Sequence, residues 1–113
     1  MMNYDDMRNI MRAVELENYF IKVDAEVDKA LVTNDNFMNI TDAILEIENR
    51  CRNIEDAKAM RRRCDKLTNL IKIMNNIETE AIKIKDHELM WKCEARKGKM
   101  IMQMQIMQDK YDF

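Results

Sequence analysis

Residues 37–74 read FMNITDAILEIENRCRNIEDAKAMRRRCDKLTNLIKIM, and this stretch decides the fold. Phe37, Ile40, Ile44, Ile47, Cys51 and Ile54 recur at alternating spacings of three and four. Beyond a slip of phase near Ala57, the stripe continues through Met60, Cys64, Leu67, Leu70 or Ile71, and Met74. That period puts apolar side chains on one face of a helix, not on alternate faces of a strand. Nothing between Thr41 and Met74 breaks a helix.

The same period extends outward in both directions. Upstream, Tyr4, Met7, Met11 and Val14 step by three and four, and Phe20, Val23, Val27 and Ala30 resume after a small phase shift. This first segment ends at Val32-Thr33-Asn34-Asp35-Asn36, where Asn and Asp bond to their own backbone and favour turns or N-caps. Asp35, Asn36 or Thr41 caps the second helix. Downstream, Asn75-Asn76 is the next expected turn, with Asn75 and Glu78 at capping-box spacing. A third helix then carries Ile77, Ala81, Ile84, Leu89 or Met90, Cys93, Met100, Met104, Met107 and Tyr111. Asp86-His87 and Gly98 are weaker break points.

The expectation is one all-α domain over residues 1–113, with helices at 3–32, 36–74 and 77–112. Short connections favour an antiparallel, coiled-coil-like three-helix bundle. In the competing layout no turn forms at Asn75, and a very long second helix buries its stripe against another chain. Composition agrees with all-α: no proline, one glycine, no serine, and twelve methionines against six leucines. Methionine is a good helix former that fills irregular gaps. Abundant Asn, Ile, Lys, Asp and Met is also a composition shared with phage and viral proteins.

Several function classes are excluded by absence. One glycine cannot build a phosphate-cradling loop, and without serine there is no Ser–His–Asp nucleophile. His87-Glu88-Leu89-Met90-Trp91 starts like a zincin motif but has Trp where the second histidine must stand. No CxxC spacing supports a metal site, and Cys51, Cys64 and Cys93 fall on the apolar stripes as reduced core thiols. The reading is therefore non-enzymatic, with no cofactor and no metal. Acid near the N-terminus and the lack of roughly 20 consecutive apolar residues argue for a soluble, intracellular (cytoplasmic) protein without membrane contact.

Charge is asymmetric. Residues 1–48 hold eleven acids against four bases, and residues 49–113 ten acids against fifteen bases. The densest basic stretch contains Arg50, Arg52, Lys58, Arg61, Arg62, Arg63 and Lys66. It either pairs with the acidic first helix or forms a docking patch for an acidic protein or, as the alternative function, for nucleic acid. The C-terminal segment has more apolar surface than one stripe needs: Trp91, Met100, Met102, Met104, Ile106 and Met107. Burial in the bundle competes there with a self-association or partner surface. The leading expectation is a self-associating interaction protein, an adaptor or inhibitor of a protein partner.

Overall fold

The computed structural model describes residues 4–31, 41, 44, 45, 47 and 54–111 of the chain. Among these, three long helices carry the fold: α1 (Tyr4–Ala30), α2 (Ile54–Lys83) and α3 (His87–Tyr111). Thr41, Ile44, Leu45 and Ile47 are helical as well, and Ile47 is fully buried. The described residues contain no strand. The expected break at 32–36 and its caps Asp35 and Asn36, with Phe37, Ile40 and Cys51, lie outside the described residues; Thr41 is helical and exposed.

The stripes meet as the periodicity requires. Leu16, Phe20, Val23, Val27 and Ala30 of α1 face Met60, Cys64, Leu67, Leu70, Met74, Ile77 and Ala81 of α2 and Leu89, Cys93, Met100 and Met107 of α3 in one core. The α1 and α2 sets repeat every three or four residues and the α3 set every four or seven, which keeps one side of each helix turned inward.

The connection between α2 and α3 forms at the weaker expected break, Asp86-His87, and not at Asn75-Asn76. Asn75 and Asn76 lie inside α2, and the chain turns at Ile84–Asp86. The reason is visible in the stripe: Met74, Ile77 and Ala81 are buried without a change of phase, so the helix gains core contacts by running on. It then stops in a Schellman motif. Asp86 N–H donates to the Ala81 carbonyl (2.9 Å) and Lys85 N–H to that of Ile82 (3.1 Å), with Lys85 at φ 60°. Asp86 at once starts α3: its Oδ1 accepts from Leu89 N–H (3.2 Å), and its carbonyl accepts from Met90 N–H (3.1 Å). One aspartate thus closes one helix and caps the next. Asn75 and Glu78, instead of capping, both engage Lys97 of α3.

Polar ties set the register. Arg12 of α1 meets Glu80 of α2 (3.2 Å), Glu26 meets Lys66 (3.6 Å), and Arg63 reaches the end of α1, so numbers fall along α2 as they rise along α1. Glu17 meets Lys92 of α3 (3.2 Å), and Asp24 and Asp28 both meet Arg96. The acidic side of α1 therefore faces α3 more than the arginine-rich part of α2.

Candidate interaction surfaces

The expected basic patch is divided by the fold. Arg63 turns inward, and its Nη1 donates to the carbonyls of Lys29 (3.4 Å), Ala30 (3.1 Å) and Leu31 (3.3 Å). These carbonyls lie at the end of α1 and just beyond it, and the guanidinium gives them a charged donor. Lys66 sits beside Glu26, whose carboxyl is held below its usual range by Lys29 first and Lys66 second. Lys58, Arg61 and Arg62 are exposed; Arg62, Arg63 and Lys66 line a shallow depression of 320 Å³ with Lys29, Ala30 and Ala59. Arg50 and Arg52 lie outside the described residues. The patch is thus partly structural, and Lys58, Arg61, Arg62 and Lys66 are exposed in its described part.

The expected Met-rich surface is mostly interior. Met100 and Met107 are fully buried in the chain's own core, and Met104 and Ile106 pack against that core. Ile106 also lines a depression with Ile44, Asp109 and Lys110. Met102 is half-buried, and Trp91 stands 67% exposed on the side of α3 away from the core. Of the expected residues, Trp91 alone keeps a large accessible surface.

Among the described residues the largest exposed apolar stripe is elsewhere. Met7, Ile10, Met11 and Val14 of α1 are each at least half exposed, with Met11 at 63%. Their spacing of three, four and seven places them on one helical face. Expected to lead into the core, they instead point away from it. Val14 and Leu16 are two residues apart, about 200° around the helix, and Leu16 is buried while Val14 is open. The phase shift between Val14 and Phe20 is the sequence signal: it marks two apolar faces on opposite sides of one helix. Ile21, 57% exposed, continues the outer face one heptad beyond Val14.

Register adds to this exposure. Eight residues of α1 precede Arg12, about 12 Å of helix, whereas α2 ends three residues after its partner Glu80. On the other side α3 begins five residues before Lys92, the partner of Glu17. The start of α1 therefore extends past the α2–α3 turn. A groove of 280 Å³ runs beside the stripe, lined by Met7, Arg8, Met11, Arg12 and Glu15. Ile82 and Trp91 are exposed at the same end of the bundle.

The reactive side chains are dispersed. His87 is exposed in the first turn of α3. Cys93 is fully buried, and desolvation pushes its thiol up to about 11, which keeps it protonated and un-nucleophilic at neutral pH. Among the described residues no cluster of three His, Cys, Asp or Glu side chains is placed to hold a metal, and no helix is long and apolar enough to cross a membrane. Comparisons with protein-family models, curated proteins and solved structures find no match.

Proposed function

We propose that this chain is a non-enzymatic interaction protein that acts as an adaptor or inhibitor, by laying the outer face of α1 against a helical or grooved surface of a protein partner. The observation that carries this reading is the stripe Met7, Ile10, Met11 and Val14, exposed on the side of α1 opposite the core. An amphipathic helix uses such a set of anchors to bind a partner helix or groove. Methionine adapts its shape to irregular surfaces, which suits this task. The reading is further supported by the chemistry of Cys93 and by the distance in sequence and angle between it and His87, which leave no nucleophile–base pair in α3.

The test uses the paired substitution Met11→Asp with Val14→Asp. Both side chains are exposed, so helix content and melting temperature stay near those of the parent chain. The proteins captured by the tagged parent chain from its source cell are expected to be lost by the variant. Capture of the same proteins in the same amounts by both chains refutes the proposed surface.

A further inference from the structure

The charges beside the α1 stripe identify what covers it. In the heptad register that puts Met7, Met11, Val14 and Asn18 in a seam, Arg8 and Glu15 lie on the same flank, seven residues apart. Within one helix they are about 10 Å apart along the axis and form no pair with each other. Between two copies of the helix they match. We infer that the outer face of α1 is a two-fold interface between two copies of this chain, with the two α1 helices running in opposite directions. This inference rests on the reading of that face as the binding surface and names its occupant.

The geometry is self-consistent. With the two-fold axis between Met11 and Val14, Met11 of each copy packs on Val14 of the other. Arg8 of each copy then lies beside Glu15 of the other, so the same favourable pair forms twice, as an isologous interface requires. A parallel arrangement sets Glu15 beside Ile10 and Arg8 beside Asn3 of the other copy, so neither Arg8 nor Glu15 meets an opposite charge. Asn18 falls opposite Met7 near the ends of the seam. The stripe lies opposite the core, and the start of α1 extends past the α2–α3 turn, so the second copy approaches on a side that the described helices leave open. Glu15 is 3.6 Å from Arg12 within the chain, but both side chains are well exposed, and such a pair holds Glu15 only weakly.

The experiment is the mass of the purified full-length chain by sedimentation and light scattering over a concentration series. The parent chain is expected at twice 13.6 kDa, dissociating on dilution. Val14→Asp raises the dissociation constant at least about a hundredfold, because it places two buried charges in the seam. Arg8→Glu and Glu15→Arg each weaken association by about tenfold, and the double reversal restores it. Circular dichroism on every variant separates lost association from lost folding. A parent chain that stays monomeric at all accessible concentrations overturns the inference. So does a double reversal that is no stronger than the single ones, since the antiparallel charge match is then absent. If the parent is monomeric but Met11→Asp with Val14→Asp still loses the captured cellular proteins, self-pairing falls and the wider interaction reading stands. If the parent dimerises and the charge reversals behave as stated while capture is unchanged, self-pairing stands and the adaptor reading falls.

Discussion

The position of the α2–α3 turn can be read from stability alone, because the effects of three substitutions depend on where it lies. Asn76 is exposed in the middle of α2, where Asn is a poorer helix former than Ala, so Asn76→Ala stabilises the chain by about 0.5 kcal/mol. Lys85 holds φ 60° at the end of the Schellman motif. A left-handed conformation costs an L-residue about 1–2 kcal/mol, and the greater freedom of glycine in the unfolded chain takes back about half of that. Lys85→Gly therefore stabilises by about 0.5–1 kcal/mol. Asp86→Ala removes the acceptor for Leu89 N–H and destabilises by about 1 kcal/mol. For a chain of this length 1 kcal/mol is about 4 °C in melting temperature, well resolved by circular dichroism and by urea titration. The refuting pattern is Lys85→Gly losing about 1 kcal/mol while Asp86→Ala has no effect: Lys85 would then be inside a helix that starts after a turn at Asn75–Asn76, and α2 would end before Ile77 and Ala81 reach the core.

Other consequences can be checked on the same purified protein. Gly98 is helical, and an added Cβ there meets nothing within 4 Å, so Gly98→Ala gains about 1 kcal/mol, read as a rise of about 4 °C in melting temperature. Cys93 is buried with its thiol raised to about 11, so in a Cys51→Ser, Cys64→Ser background iodoacetamide modifies it at neutral pH only as the chain unfolds; modification as fast as in denaturant contradicts this. Lys83 first and Arg12 next hold Glu80 below its usual value, and Lys29 and Lys66 do the same for Glu26. Depressed carboxylates stabilise above their unfolded value, so that contribution is present above pH 4.5 and lost as the pH falls through the lower folded values. Glu17 first, and Glu88 after it, raise Lys92, whose contribution is present below pH 10.5 and lost as the pH climbs through the higher folded value. Melting temperature followed into acid and into base shows both losses, and a Glu17→Gln variant reduces the alkaline one.

Periodicity made most of the core legible. Met60, Cys64, Leu67, Leu70 and Met74, then Ile77 and Ala81, then Leu89, Cys93, Met100 and Met107 are buried as their spacing demands. The turn was obscured because its two usual markers are missing or misleading. Lysine stands at the left-handed position where glycine is common, and the Asn75-Asn76 pair imitates a break while lying on the polar side of a continuing helix. An unbroken 74–77–81 phase was the stronger signal. Two inward positions were illegible for another reason: Gln103 is fully buried, and Arg96 joins α3 to Asp24 and Asp28, so polar residues occupy steps of the stripe that hydrophobicity skips. Periodicity within α3 alone does not show what covers its methionines: Met100 and Met107 are buried in the shared core and Met104 packs against it.

The α1 helix shows how a small phase error becomes a surface. If Met7, Met11 and Val14 had kept the phase of Phe20 and Val23, they would have pointed inward, and the start of α1 would have needed α2 or α3 beside it. The turn at Ile84–Asp86, with Arg12 level with Glu80, provides no such cover for the first turns of α1. The out-of-phase stripe and the protruding start of the helix are thus compatible with each other: the protruding segment needs no core, and it supplies none. Among the described side chains of α1, full burial begins at Leu16, so the bundle draws its α1 contribution from that residue onward. Residues 7–14 are consequently free of a folding requirement that would hide their apolar face. Substitutions there separate association from folding, which makes this segment the place where the function of the chain can be tested without unfolding it.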